Sequence, residues 1–167
     1  MKGGDLMHTI MGIDASLSST GVAITSYNKE ILFLQTIKTT VNSSIKERIL
    51  IVHKEIESLI DRFKVHLILI ENNYSGGSKE VNWIIGIIYL IAAKNWIDIK
   101  TYAPASIKKA VTGNGKASKK EMKPAIHRIF GEIKSNEHVR DALGIIHCYF
   151  EKEREERLIG KATEANS

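Results

Sequence analysis

Gly12-Ile13-Asp14-Ala15-Ser16-Leu17-Ser18-Ser19-Thr20-Gly21 lies between two short apolar runs, residues 10–13 and 22–24. The pattern reads as two strands joined by a Ser-rich turn, with Asp14 at the end of the first strand. That is a costly place for an acid. A carboxylate withdrawn from water needs a partner, a metal or a shifted pKa. Asp14 can cap the turn through its own side chain, or it can hold something that the rest of the chain must supply.

Outward from this hairpin, residues 9–13, 21–27 and 31–36 read as three strands of an antiparallel meander, with Asn28-Lys29 as a tight turn. Ser44-Ile45-Lys46-Glu47 is a capping box. It opens a helix whose apolar residues, Ile45, Ile49, Val52, Ile56, Leu59, Ile60 and Phe63, recur at helical spacing. Residues 65–70 form an almost unbroken apolar run, the mark of a central strand covered on both faces, and it stops at Glu71. Residues 75–78 read as a loop and 79–94 as a helix. The middle of that helix has no polar face, so a second subunit is expected against the side turned away from the sheet.

Residues 97–102 read as a fifth strand, and Pro104 opens a short helix to about residue 111. After the Gly113-Asn114-Gly115 turn, Ser118-Lys119-Lys120-Glu121 is a second capping box, with Pro124 complicating the helix that follows. Ser135 or Asn136 caps a last helix with apolar Val139, Ala142, Leu143, Ile146 and Phe150. Residues 157–167 read as a disordered charged tail, and residues 1–6 carry no pattern. The order predicts an α/β fold: one domain over 1–167, a five-stranded mixed sheet flanked by helices.

Composition limits the function. With 43% hydrophobic and 26% charged residues, the chain fits one ordinary globular domain. Its one cysteine, Cys148, excludes an internal disulfide and a multi-cysteine zinc site. The longest apolar stretch, residues 83–93, is too short to span a membrane, and the N-terminus has no secretory apolar core. The expectation is a cytoplasmic protein with no membrane contact. A net charge of +5 favours a polyanionic partner.

Two carboxylates stand at strand ends. A crossover through the first helix lays the strand ending at Glu71 parallel to the strand ending at Asp14, and such sheets bind ligands beyond those ends. Two acids side by side call for a positive centre, and Mg²⁺ or Mn²⁺ suits oxygen ligands best. His138 and Asp141 share one face of the last helix, with Glu137 near that face. Together Asp14, Glu71, His138 and Asp141 can hold two such ions, the arrangement for in-line phosphoryl displacement. Between Lys108 and Arg128 there are seven basic residues and one acid, Glu121, so the positive charge is concentrated there. Lysines around a glycine turn and a helix start suit a phosphate backbone.

At this point the chain resembles the RuvC-type Holliday junction resolvases, and the phage-encoded members in particular. The resemblance rests on four segments in order. They are the Asp14 stretch, Ile-Leu-Ile-Glu-Asn-Asn-Tyr around Glu71, residues 103–121, and His-Val-Arg-Asp-Ala-Leu-Gly-Ile from His138. It implies a ribonuclease-H-like fold, a homodimer through residues 79–94, and Mg²⁺-dependent nicking of four-way DNA junctions. The expected mechanism is paired, symmetrical attack by metal-activated water, leaving 5′-phosphate and 3′-hydroxyl ends. Asp14, Glu71 and Asp141 fall on its metal-binding catalytic positions. His138 falls where members carry Asp or His. Lys108 and Lys119 match basic positions near the scissile phosphate, with Lys109, Lys116 and Lys120 as further DNA contacts. Tyr74 matches an aromatic that wedges the junction crossover. The Ser-rich turn departs from the Pro-Gly often found in bacterial members. The rival readings are a nuclease of the same fold acting on other branched DNA or RNA, a junction-binding module without catalysis, and a kinase-like phosphotransferase. The last needs two such domains, and this chain has room for one.

Overall fold

A computed structural model of the protein describes residues 8–72 and 78–164. In chain order its elements are β1 (Thr9–Asp14), β2 (Ser19–Ser26), β3 (Ile31–Lys38), α1 (Ile45–Phe63) and β4 (Val65–Glu71). They continue with α2 (Lys79–Asn95), β5 (Asp98–Tyr102), α3 (Pro104–Thr112), α4 (Lys119–Phe130) and α5 (Glu137–Glu164). The sheet order is β3-β2-β1-β4-β5. The first three strands pair antiparallel, while β4 pairs parallel with both β1 and β5. This is the five-stranded mixed sheet expected from the sequence.

Side-chain alternation divides the core in two. Met11, Ile13, Val22, Ile24, Ile68 and Ile70 join a cluster with α1 and α2. Their neighbours Ile10, Ala23 and Leu69 join a second cluster with α3, α4 and α5. Strands β1 and β4 are thus covered on both faces, which is why they read as apolar runs.

Local chemistry sets the helix ends. Both halves of the Ser44 capping box form, with the Glu47 N–H donating to Ser44 Oγ at 3.3 Å and the Ser44 N–H to Glu47 Oε2 at 2.8 Å. The Ser118–Glu121 box also forms. Asn136, not Ser135, caps α5: its Oδ1 accepts from the Val139 N–H at 3.2 Å.

Three helices add to the picture drawn from sequence. Helix α4 runs through Pro124. The ring removes the one N–H that would reach the Lys120 carbonyl, and the capping box and the buried Met122, Ala125 and Ile126 hold the helix despite it. Helix α5 extends to Glu164, through most of the expected tail. Ion pairs between Lys152 and Glu155 and between Arg154 and Glu151 support it, as does a bond from Arg157 to the Tyr27 hydroxyl.

The third is which helical stretch this chain by itself buries on all sides. It is α5, where every residue from 142 to 150 is buried. It lies over β1 and β2 with α3 and α4 against its other sides. Small residues let it come this close: a Cβ on Gly12 would stand 2.5 Å from the Ala142 carbonyl oxygen. Helix α2, by contrast, buries only Ile84, Ile88, Ile91 and Ala92 within this chain. Its other side exposes Trp83, Tyr89 and Leu90.

Candidate active site

The parallel register pairs Ile13 with Ile70, so Asp14 and Glu71 follow as neighbours at the carboxyl ends of β1 and β4. Asp14 is paired across the hairpin with Gly21. That glycine admits α5, because a Cβ there would overlap the backbone carbonyl of His138. The first turns of α5 therefore reach the sheet end, and His138 Nδ1 stands 2.7 Å from Asp14 Oδ2. Asp14 is thus engaged by a residue 124 positions away. The turn after it is held by other bonds. Thr20 Oγ1 donates to the Ser16 carbonyl, while Arg48 donates to Ser18 Oγ at 2.8 Å and to Thr39 Oγ1 at 2.9 Å.

Asp14, Glu71, His138 and Asp141 line one cleft of about 350 Å³, together with Lys108 from α3, Lys119 from α4, Ser16 and Glu137. Pro104, Ile107 and Met122 form its apolar wall. Burial pushes the Asp141 carboxyl up to about 6, helped by the negative charges of Asp14, Glu137 and Glu71. Burial also raises Asp14, against the hydrogen bond and charge of His138 and the charge of Lys119. Lys119 pairs with Glu137, which holds the Glu137 carboxyl below its usual range.

The cleft holds more acid than base can balance, and a hard divalent cation is the natural counter-charge for such a donor set. The donors fit that ion chemically, three carboxylates and an imidazole. Among the described residues, however, no three His, Cys, Asp or Glu side chains already stand as a metal cage. Asp14 turns its Oδ2 toward His138 Nδ1.

The lysines expected to meet DNA separate into groups. Lys108 and Lys119 line the cleft. Lys120 lines an adjoining cleft with Lys123 and Arg140. Lys109 faces away, toward Cys148, Glu151 and Glu155. Lys116 is exposed in the turn between α3 and α4, its N–H bonded to Asn114 Oδ1 at 3.0 Å. Tyr74 lies outside the described residues. Ser16 and Arg140 carry no signal in the sequence, whereas Glu137, placed by spacing near the face of Asp141, does line the cleft. No spacing signals the Lys119–Glu137 pair, which joins two helices.

All residues of this cleft fall within one family match. The model of the crossover junction endodeoxyribonuclease RuvC family matches residues 10–149. The chain belongs to the RuvC family. RuvC of Ruminiclostridium cellulolyticum is 31% identical over 160 residues, covering 90% of this chain and 96% of the relative. RuvC of Corynebacterium diphtheriae is 28% identical over 149 residues, covering 83% and 91%. Among solved structures, Thermus thermophilus RuvC in complex with a Holliday junction substrate superposes with a TM-score of 0.79 at 22% identity, covering 89% of this chain and 96% of that one. The yeast mitochondrial Holliday junction resolvase Ydc2 gives 0.60 at 12% identity, covering 86% and 78%. The fold is the ribonuclease-H-like fold of RuvC.

Proposed function

We propose that this RuvC-family protein is a metal-dependent endonuclease that resolves four-way DNA junctions by paired, symmetrical nicks leaving 5′-phosphate and 3′-hydroxyl ends. One observation carries the reading. Acids, an imidazole and two lysines from five separate elements, β1, β4, α3, α4 and α5, line a single cleft. Asp14, Glu71, Asp141 and His138 would hold Mg²⁺ or Mn²⁺, two ions per site. When bound, the ions supply the charge that acidifies water and neutralises the phosphate.

The chain's own residues do the rest. Lys108 and Lys119 bind oxygens of the scissile phosphate and stabilise the charge that develops during in-line attack. The apolar wall of Pro104, Ile107 and Met122 excludes water and strengthens those contacts. Cutting two strands symmetrically requires two such clefts about a two-fold axis. The exposed Trp83, Tyr89 and Leu90 of α2 are the apolar face on which a homodimer would close. Tyr74 and Lys116 are further DNA contacts on this reading. On this reading the protein works in a bacterial cytoplasm, as a phage-encoded member of the family would.

The test is cleavage of synthetic four-way, three-way, flap and linear DNA with Mg²⁺. The four-way junction should be cut in preference. Asp14→Asn should bind it as before and leave it uncut; a cleaving variant would overturn the assignment.

A further inference from the structure

We infer that the cleft beside the catalytic one is a second phosphate subsite, holding the phosphate next to the scissile one, with the Lys119–Glu137 pair as the gate between them. The inference rests on the nuclease reading above and goes beyond it in assigning Glu137, Lys123 and Arg140.

The second cleft, about 320 Å³, is lined by Lys120, Lys123 and Arg140 over an apolar floor that includes Ile126. It shares Lys119, Met122, Glu137 and Asp141 with the catalytic cleft. The two spaces are therefore adjacent, and the Lys119–Glu137 pair stands in their common wall. Three cations from two helices meet here. Lys120 and Lys123 are three residues apart on α4, and Arg140 comes from the first turn of α5. Among the described residues none of the three is in a salt bridge. Arg140 is oriented instead by a bond from Nη1 to the Ser135 carbonyl. A fixed guanidinium flanked by lysines suits a phosphate, which accepts paired N–H bonds. The substrate is a continuous chain of phosphates, so a strand seated in the catalytic cleft presents its next phosphate to the neighbouring space.

The gate is weak enough to open. Lys119 and Glu137 are well exposed, with side-chain exposures of 78% and 45%. Exposed ion pairs hold little free energy, so an entering phosphate can take Lys119 from Glu137. Until then Glu137 neutralises Lys119 and weakens the cleft for any phosphate that cannot also reach Arg140.

Binding without divalent cations tests this, using fluorescence anisotropy on a four-way junction and on the same junction with a neutral methylphosphonate beside the scissile phosphate. Arg140→Gln should weaken binding to the native junction about tenfold, and reduce its logarithmic salt slope by about 0.9. It should change nothing on the methylphosphonate junction. Glu137→Gln should tighten binding to the native junction, and this gain should vanish in a Lys119→Met background. Equal loss from Arg140→Gln on both DNAs would overturn the subsite, and a gain from Glu137→Gln that survives in Lys119→Met would overturn the gate. Absence of Mg²⁺-dependent nicking by the unaltered protein would instead overturn the nuclease reading.

Discussion

Asp141 sits where burial and the charges of Asp14, Glu137 and Glu71 all oppose its ionisation, so its carboxyl titrates near 6 instead of the ordinary 3.8. That difference is a stability statement. A carboxyl raised in the folded state binds its proton more tightly there than in the unfolded chain. Its contribution is fully present below about pH 4 and is lost as pH rises through about 6. The gap amounts to about 3 kcal/mol, or about 2 kcal/mol once solvent screening of a partly exposed group is allowed for. Asp141→Asn keeps the shape and removes the charge. The variant should therefore be more stable than the parent by about 2 kcal/mol at pH 8, a rise of roughly 4–8 °C in melting temperature. At pH 3.5 the two should coincide. Mg²⁺ should raise the melting temperature of the parent and leave that of the variant nearly unchanged, because the cation relieves the same repulsion. The variant should not cleave. Thermal unfolding by circular dichroism at both pH values, with and without Mg²⁺, measures all of this. A variant less stable than the parent at pH 8, or a gain independent of pH, would refute the electrostatic account of this cleft.

Further outcomes follow from the packing. Gly21→Ala drives a methyl into the His138 backbone, so it should cost about 1–3 kcal/mol and displace the start of α5, seen as a lower melting temperature and lost cleavage. Lys108→Met should lower the cleavage rate about a hundredfold, whereas Lys109→Met, whose side chain lines a different cleft, should leave it within a few-fold. Leu90→Glu places a charge on the exposed apolar face of α2; sedimentation should show a monomer, and paired nicking should fall to single nicks.

Much of this protein was legible from local signals. Asp14 and Glu71 end apolar strands, and a crossover through α1 that lays those strands parallel places their ends together. His138 and Asp141 share a helix face at a spacing that needs no tertiary knowledge. Both capping boxes are four-residue patterns whose partners lie within the same turn.

Tertiary structure decided the rest, because it depends on how close two distant elements come and at what angle. Residues 83–91 of α2 and 142–150 of α5 are both largely apolar, yet only the second stretch is buried all round within this chain. The difference lies in Gly12, Gly21 and Ala23 beneath it and in α3 and α4 against its other sides. Lys108 and Lys109 differ by about 100° around one helix, and only the docking of α3 selects the one that enters the cleft. The bond from Asp14 to His138 and the pair from Lys119 to Glu137 both depend on where α5 begins relative to the sheet. The chain shows which residues can carry the chemistry. Where they meet is set by the closest approach of α5, through side chains that are absent as much as those that are present.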